Sequence, residues 1–377
     1  MRILYVNDAL AIWGGLERIL VEKVNFLADE FGYEVHLITV NQGYHPIPYP
    51  LSHKVHYKDL GVLFQQQYKC NLFHRILRHW QLNFLLVKRL RKYIQGCDPD
   101  IIVSARSGLT AAIVSAKGDI PLVYESHTSR FAIQYENAGW YQRMKADWHN
   151  RSIRHAQVVV ALTEGDAADW REINPNVRVI PNMVHLNESG EYSSCLQKSV
   201  IFVGRFSCQK NIGSLIQIWS LVHQRYPDWE LHIYGGYGEE EDELLPKIEG
   251  LQANIFVHEP TSEILKKYRE NSILLLTSKY EPFGLVIPEA MSCGLPVVAY
   301  DCPFGPAEII ADDSDGFLVK NSDIEAFVDR VCQLMDNESL RKKMGKAAIV
   351  SSQRYRADVI MPKWKQLFEY IINKQKL

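Results

Sequence analysis

The sequence predicts an α/β protein with two doubly wound parallel sheets. Short apolar runs alternate with helical patterns along nearly the whole chain, and one polar stretch near the middle interrupts the alternation. Near-continuous apolar strands separated by helices are typical of parallel sheets covered on both faces. The length of 377 residues exceeds the size at which a single core stops growing, about 250–300 residues. We therefore expect two domains in tandem.

The first half of the chain carries the pattern of the first domain. A strand is predicted at 2–7, followed by a helix at 15–29 whose apolar residues recur at helical spacing. Further strands are predicted at 33–40, 101–104, 122–125, 158–162 and 177–180. We place this domain at 1–182 and interpret the polar segment 183–198 as a linker.

The second half repeats the alternation. Strands are predicted at 200–203, 231–234, 255–257, 273–277 and 297–299. We place the second domain at 199–356 and expect 357–377 to form a helix that packs back on the first domain. Two such domains are expected to bind a ligand in a cleft at the carboxyl ends of their strands.

The composition excludes several classes of function. The formal net charge of −2 gives no global field that would attract nucleic acid. Seven cysteines without a C-x-x-C pair indicate reduced thiols, and the 13 histidines show no spacing typical of zinc ligands. No run of about 18 apolar residues occurs, so we expect a cytoplasmic protein without a membrane-spanning helix.

The segment 69–92 is basic and amphipathic. No acidic residue occurs between Asp59 and Asp98. The cations are interleaved with apolar and aromatic residues, and they are Lys69, Arg75, Arg78, Lys88, Arg89, Arg91 and Lys92. Such a segment either touches an anionic membrane, here the inner face of the cytoplasmic membrane, or forms helices with an ordinary solvated basic face. The sequence leaves both interpretations open.

The most informative stretch is 277–294, which reads TSKYEPFGLVIPEAMSCG. It follows a buried strand, and Pro282 and Gly284 exclude regular structure before the next helix. We expect that helix to be short, with Pro288 at its first position and Gly294 at its left-handed cap.

Two carboxylates lie around the start of this short helix. Glu281 is on the preceding loop and Glu289 is in the first helical turn. Backbone N–H groups at a helix start bind phosphate, and carboxylates on either side suit a ligand rich in neighbouring hydroxyls. Each residue also has a simpler explanation, because acidic residues favour the first turn of a helix and loop carboxylates are commonly solvated.

The spacing of Glu281 and Glu289, with its Pro, Gly, Ala-Met and Cys-Gly-Leu-Pro context, resembles the E-x7-E motif of retaining glycosyltransferases of family 4. The resemblance implies the GT-B fold, in which two Rossmann-like domains face each other across a cleft. It implies that Glu281 contacts the donor sugar and that Glu289 contacts the ribose. Backbone groups of the following residues would meet the sugar and diphosphate: Phe283, Gly284 and Leu285.

A second segment, 202–211, reads FVGRFSCQKN and follows the first strand of the second domain. Seen alone, it could be an ordinary basic loop. It resembles the G-R-x4-K-N pattern of the same family, which implies that Arg205 and Lys210 bind the diphosphate. A diphosphate needs compensating charge, and the same cations would stabilise the leaving group during bond cleavage.

Two residues of the first domain complete the predicted site. Gly15 lies in the WGGLE segment between the first strand and its helix, and His127 follows the strand 122–125. A pair of glycines is often only a turn, and a lone histidine is more often structural. The resemblance makes Gly15 a donor contact and His127 an acceptor-side or catalytic contact.

The resemblance covers nearly the whole chain and implies a function. A hexose would be transferred from a nucleotide-diphosphate sugar, UDP-linked Gal, Glc or N-acetylhexosamine, to a hydroxyl of a glycan or lipid-linked acceptor in bacterial surface-polysaccharide biosynthesis. The mechanism would be retaining and independent of metal, and no cofactor is expected. The acidic run 312–315 lies on a later loop than the D-x-D motif of metal-dependent transferases would occupy. The alternatives are a GT-B sugar-nucleotide epimerase and a degenerate sugar-nucleotide-binding protein.

Overall fold

The computed structural model describes residues 1–69, 72–129, 139–236 and 238–375. It divides into two compact units, each with its own hydrophobic core. Unit 1 comprises Met1–Met183 and Ile360–Leu377, and unit 2 comprises Val184–Val359.

Unit 1 is built on a seven-stranded parallel sheet. Its strands are β1 (Arg2–Asn7), β2 (Glu34–Thr39), β3 (Val55–Asp59), β4 (Ile101–Ser104), β5 (Leu122–Glu125), β6 (Val158–Ala161) and β7 (Val177–Val179). Their order is β3-β2-β1-β4-β5-β6-β7, so the direction of winding reverses between β1 and β4. In doubly wound sheets, ligands bind beyond the carboxyl ends of the strands at such a reversal.

Helices join these strands. They are α1 (Gly15–Asp29), α2 (Leu72–Cys97), α3 (Ser107–Ala116), α4 (Trp140–Ile153) and α5 (Glu164–Arg171), with a 3₁₀ helix at Phe64–Lys69. α1 forms because Ile19, Leu20, Val24 and Leu27 recur on one face, and all four are buried. The predicted basic segment is thus mainly one long helix.

Unit 2 contains a six-stranded parallel sheet. Its strands are β8 (Ser199–Val203), β9 (Glu230–Tyr234), β10 (Ile255–His258), β11 (Ile273–Leu276), β12 (Val297–Asp301) and β13 (Gly316–Lys320). The order β10-β9-β8-β11-β12-β13 reverses between β8 and β11. The two parallel sheets confirm the predicted fold class.

The helices of unit 2 range in length from 5 to 15 residues. They are α6 (Ile212–Arg225), α7 (Glu241–Glu249), α8 (Ile264–Arg269), α9 (Val286–Ser292), α10 (Gly305–Ile309), α11 (Ile324–Asp336) and α12 (Glu338–Ser352), with a 3₁₀ helix at Gln353–Tyr355. The predicted linker 183–198 forms neither helix nor strand, and its residues 184–198 belong to unit 2. Ser193, for example, donates its N–H to the carbonyl of Cys293 at 2.8 Å.

The C-terminal helix α13 (Ala357–Gln375) leaves unit 2 and joins unit 1. Trp364 and Phe368 are buried and lie 5.5 Å apart between ring centroids. Lys365 lies 5.5 Å from the ring centroid of Phe31, which follows α1. The helix therefore completes the face of unit 1 on which α1 lies.

Candidate active site

The two loops that follow β8 and β11 lie side by side at the reversal of the unit 2 sheet. The backbone N–H of Lys279 donates to the carbonyl of Gln209 at 2.8 Å, and the amide of Gln209 donates to the carbonyl of Tyr280 at 3.1 Å. The hydroxyl of Thr277 also donates to the carbonyl of Lys210 at 3.1 Å. These bonds hold the Arg205–Lys210 segment against the Glu281 segment, which the sequence predicts to act together.

Glu281 is buried and has two side-chain partners. Its Oε1 accepts hydrogen bonds from the ammonium group of Lys210 and from the hydroxyl of Ser278, the latter at 2.8 Å. The side chain of Glu281 is 5% exposed and that of Lys210 is 16% exposed. A carboxylate at this depth needs a counter-charge, and Lys210 supplies it. Sequence reasoning did not identify Ser278, although it lies only three residues before Glu281.

The backbone of Glu281 is fixed by a small bridge to the loop after β12. Its N–H donates to the carbonyl of Pro303 at 2.6 Å, and its carbonyl accepts from the N–H groups of Phe304 and Gly305 at 2.9 and 2.8 Å. A Cβ at Gly305 would lie 1.8 Å from the carbonyl oxygen of Phe283, so only glycine permits this approach.

The cations of the site differ in their freedom. Arg205 is exposed at the carboxyl end of β8, whereas Lys210 is partly buried against Glu281. An ammonium group has three donors, so the bond to Glu281 leaves two for another acceptor. One exposed guanidinium and one anchored ammonium group are therefore available for an anionic ligand.

Glu289 lies in α9 and is also buried. The hydroxyl of Tyr268 lies 3.3 Å from its Oε2. α9 begins at Val286, so the prediction that Pro288 takes the first helical position is wrong: Pro288 is the third residue. A proline is tolerated there because the first four N–H groups of a helix lack intrahelical acceptors. Gly294 follows α9 with φ of +87°, as expected for a left-handed cap.

The residues between the two carboxylates form a tight turn. Gly284 has φ of +92°, a conformation that side chains strongly disfavour, and Leu285 directly precedes α9. Phe283 is buried and packs edge-to-face on Tyr355 at 5.3 Å between ring centroids. The turn is thus anchored by an aromatic side chain and shaped by a glycine.

The glycine-rich stretch after β9 supports the Arg205 loop. A Cβ on Gly235 would lie 1.8 Å from the carbonyl oxygen of Gly204, and a Cβ on Gly238 would lie 1.8 Å from that of Phe206. Glycine is therefore required at both positions by close backbone packing.

Gly15 and His127 belong to unit 1. Gly15 is exposed and is the first residue of α1. The preceding turn is held by Tyr49, whose hydroxyl donates to the carbonyl of Gly14 at 3.2 Å and whose ring packs edge-to-face on Trp13. The N-terminus of α1 is therefore ordered around an exposed glycine.

His127 lies beside a buried ion pair that sequence reasoning missed. Its Nε2 is 3.1 Å from Oε1 of Glu125, and the same oxygen contacts the ammonium group of Lys23 from α1. Burial, followed by the positive charges of Lys23 and Arg106, holds the pKa of His127 well below its usual range; Glu17 opposes this shift. His127 is therefore a neutral imidazole at pH 7, able both to donate and to accept one hydrogen bond.

One group among the described residues has the chemistry of a metal site. Glu34, His36 and His56 offer ligand atoms within 4.8 Å of one another across β2 and β3. Sequence spacing did not reveal it because His56 comes from the neighbouring strand. Arg2 already pairs with Glu34 at 2.8 Å, and Glu34 begins β2, at the end of the sheet opposite to the loops that carry Gly15 and His127.

The acidic run 312–315 serves the local fold. Oδ1 of Asp312 accepts the N–H of Leu318 at 2.9 Å, and Oδ1 of Asp315 accepts the N–H of Ala311 at 2.8 Å. The other oxygen of Asp315 accepts the hydroxyl of Ser351 at 2.6 Å. These carboxylates close the turn before β13.

Two family profiles match the chain. The family described as Glycosyl transferases group 1 matches residues 196–350, and the one described as Glycosyltransferase Family 4 matches residues 13–188. The chain belongs to glycosyltransferase family 4. Together the two matches extend over most of both units.

Several known proteins of this kind are similar to the chain. The amylovoran biosynthesis glycosyltransferase AmsD of Erwinia amylovora is 36% identical over 222 residues, which is 56% of this chain and 62% of AmsD. The matched part therefore spans less than two thirds of that relative. Because AmsD is a glycosyltransferase, as the family is, the comparisons give no support to the epimerase alternative.

Solved structures establish the GT-B fold of this family 4 member. A variant of S. aureus TarM, solved with UDP and α-GlcNAc-glycerol, has a TM-score of 0.78 at 17% identity, covering 97% of this chain and 99% of TarM. Anabaena HepE, solved with UDP and glucose, has a TM-score of 0.75 at 19% identity, covering 97% of this chain and 99% of HepE. The fold predicted from the sequence resemblance is confirmed.

Proposed function

We propose that this chain is a retaining hexosyltransferase, which transfers a sugar from a UDP-sugar to a hydroxyl of a glycan or lipid-linked acceptor. The observation that carries the proposal is the buried Glu281, which is held by Lys210 and Ser278, while Arg205 on the same loop as Lys210 is exposed. We choose UDP as the nucleotide of the donor because TarM and HepE were both solved with UDP. The similarity to AmsD, an enzyme of amylovoran biosynthesis, supports a place in the synthesis of a bacterial surface polysaccharide.

Different residues of unit 2 bind different parts of the donor. Arg205 and Lys210 bind the diphosphate, because a guanidinium grips two phosphate oxygens and Lys210 keeps two donors beyond its bond to Glu281. Glu281 accepts hydrogen bonds from sugar hydroxyls through Oε2, which receives neither of the two bonds made to Oε1. Glu289 accepts from the ribose.

Backbone N–H groups of the turn at Phe283, Gly284 and Leu285 are assigned to the sugar and the diphosphate. From unit 1, we assign Gly15 to the donor and His127 to the reacting groups. The exposed position of Gly15 and the neutral state of His127 both suit these roles.

Transfer breaks the bond between the anomeric carbon and the β-phosphate oxygen, and the electron pair leaves on that oxygen. The charge that develops there is stabilised by Arg205 and Lys210, which are in place before the reaction begins. The acceptor oxygen attacks the anomeric carbon from the same face, and its proton passes to the departing phosphate oxygen. The glycosidic bond therefore keeps the configuration of the donor, and Glu281 and Glu289 act as binding groups throughout.

A donor screen tests the proposal. UDP-Gal, UDP-Glc, UDP-GlcNAc and, as a control for the base, GDP-mannose are compared by thermal shift with the purified full chain. A donor at 100 times its Kd stabilises the protein by about 2.7 kcal/mol. Stabilisation by a UDP-sugar that is lost in Arg205→Met supports the proposal, and no response to any nucleotide sugar contradicts it.

The stereochemistry and the metal independence have their own tests. The product formed from the best donor is analysed by NMR, and a β-linked product from an α-linked donor would refute retention. Activity should persist in EDTA, since two side-chain cations supply the charge that a metal would otherwise provide. Loss of activity in EDTA that added Mg²⁺ or Mn²⁺ restores would refute it.

We further propose that unit 1 touches an anionic membrane. Exposed apolar residues recur at helical spacing on α2 (Leu77, Trp80 and Phe84) and on α4 (Trp140, Met144 and Trp148). α3 packs against both helices, so the two stripes belong to the same side of unit 1. Of the basic segment, the side chains of Lys69, Phe73 and Ile76 lie outside what the structure describes, whereas Arg75 and Arg78 are exposed. An apolar stripe with adjacent cations is typical of helices that lie in a membrane surface.

Sedimentation with vesicles of phosphatidylglycerol and phosphatidylcholine checks this contact. Among the described residues, none of the helices has the length and apolar character of a membrane span. The double variant Trp80→Ser/Phe84→Ser should release the protein from the vesicles, whereas Val350→Ser, at an exposed valine of unit 2, should not. Absence of binding at low salt would dismiss the contact.

A further inference from the structure

The strongest unassigned feature is a buried charged cluster beneath His127. Lys23 is 1% exposed on α1, and Glu125, at the carboxyl end of β5, is fully buried. The Lys23 ammonium group contacts Oε1 of Glu125 and lies 4.1 Å from the centroid of the Trp364 ring on α13. Burying charges costs free energy, so a buried ion pair covered by an aromatic ring is poorly explained by stability alone and suggests a functional role.

Glu125 faces His127 with the oxygen that also meets Lys23. Nε2 of His127 lies 3.1 Å from that oxygen, within hydrogen-bond distance, but in this conformation the contact does not have the geometry of a hydrogen bond. Nε2 of His127 and Oε2 of Glu125 are buried, and neither has a hydrogen-bond partner among the described residues. A rotation of the ring that aligns Nε2–H with the carboxylate would give Nε2 a hydrogen-bond acceptor.

The segment that carries Glu125 and His127 is also held by α5. Glu125 contacts α1, whereas Ser126, which directly follows β5, contacts α5. Its hydroxyl donates to Asp166 at 2.9 Å and accepts from the indole of Trp170 at 2.9 Å, both on α5. The segment 125–127 is thus held by α1 through Glu125 and by α5 through Ser126.

We propose that Glu125 and Lys23 are positioning residues for His127, fixing its imidazole as the Nε2–H tautomer so that Nδ1 remains the hydrogen-bond acceptor. The carboxylate sets the tautomer because it can only accept while it is ionised. Lys23 keeps it ionised, since a buried carboxyl without a counter-charge would take up a proton and become a donor. The proposal deepens the role of His127 in the proposed function and rests on it for its catalytic consequence.

The charges around His127 have a defined balance. Lys23 from α1 and Arg106 after β4 disfavour the protonated imidazole, and Glu17 from α1, which pairs with Arg106 at 3.3 Å, favours it. Glu125 adds a further negative charge at the ring. Burial lowers the pKa of Lys23 below its usual range. The contact with the Glu125 carboxylate opposes this effect, because an adjacent negative charge favours the ammonium form.

Histidine NMR tests the tautomer without any substrate. In ¹⁵N-histidine-labelled full-length protein, the His127 signals are assigned by their loss in His127→Gln. We expect Nε2–H and an unprotonated Nδ1 in the wild type, and a mixture of tautomers in the double variant Lys23→Met/Glu125→Gln. The double variant removes both charges together, so it should fold even where Lys23→Met alone does not. A wild-type tautomer in the double variant would overturn the proposal.

Kinetics then separate positioning from a merely structural role. The double variant should lower kcat by about 10- to 100-fold with little change in KM for the UDP-sugar, a typical effect of groups that orient a reacting side chain. Lys363→Met, which removes an exposed charge next to Trp364 on α13, is the matched control and should behave as wild type. If His127→Gln leaves transfer unchanged, the catalytic assignment of His127 fails, whereas the NMR result still decides whether Glu125 and Lys23 position the ring.

Discussion

Replacement of Glu281 by alanine tests the centre of the proposed donor site. Glu281→Ala removes a carboxylate that is 5% exposed and is bonded to Lys210 and Ser278. Each hydrogen bond from a sugar hydroxyl to a charged acceptor contributes about 1.5–3 kcal/mol. Two such bonds are worth about 3–6 kcal/mol, so kcat/KM should fall by about 10²–10⁴-fold.

The same change has a smaller effect on folding. Lys210 loses its counter-charge, but its side chain is 16% exposed and can turn toward water. We expect a loss of about 1–3 kcal/mol in the free energy of unfolding, less than the 3–5 kcal/mol or so typical of a fully buried pair. The protein should therefore remain folded at 25 °C, and the kinetic loss is then a property of the site.

The assay is the initial rate of UDP release with the donor that the thermal-shift screen selects, paired with urea unfolding of the same samples. Glu249→Ala, at an exposed glutamate on α7, controls for the loss of a negative charge in unit 2. A folded Glu281→Ala protein whose kcat/KM stays within about threefold of the wild type would refute the assignment.

Three further predictions concern Lys210, Gly305 and His127. Lys210→Met leaves Glu281 buried without a cation and should cost about 3 kcal/mol of stability in urea unfolding. Adding Glu281→Gln should restore most of the stability but not donor binding. No recovery of stability in the double variant would contradict the pairing of Lys210 with Glu281. Gly305→Ala places a Cβ 1.8 Å from a carbonyl oxygen and should destabilise the protein by about 1–3 kcal/mol. Gly96→Ala on α2, where the added Cβ meets open space, should be neutral or slightly stabilising. Equal melting temperatures for the two variants would count against the close approach at Gly305. Burial and the nearby Lys23 hold the pKa of His127 well below its usual range. As the pH falls below about 6.5, the imidazole of His127 therefore stays neutral in the folded protein but binds a proton in the unfolded chain. The free energy of unfolding should then drop by up to about 1.4 kcal/mol per pH unit. Urea unfolding between about pH 5 and 7 should show a shallower slope in His127→Gln, and identical slopes would show that His127 titrates normally.

The sequence located most of the strands because they are buried on both sides. The runs at β1, β4 and β5 were predicted with the bounds that the structure has, and each is almost wholly buried. β3 and β13 were missed, and both are edge strands. β3 exposes three of its five residues and β13 begins with a glycine, so neither shows the apolar run that reveals a central strand.

The candidate site divides in the same way. The family motifs identified Arg205, Lys210, Glu281 and Glu289 because short-range patterns of glycine, proline and charge surround them. Nothing in the sequence linked Tyr268 to Glu289, since that contact depends on how α8 lies against α9.

By itself, the sequence determined the two parallel sheets, the family and the residues that carry charge at the donor loops, because periodicity and motif spacing are local properties of the chain. Only the tertiary structure decided which of these groups are paired and in what state they are held. Lys23 and Glu125 are 102 residues apart in sequence and meet in the core, where burial and an adjacent cation keep His127 neutral. A desolvated charge depends on everything packed around it, and that environment comes from strands and helices brought together from distant parts of the chain.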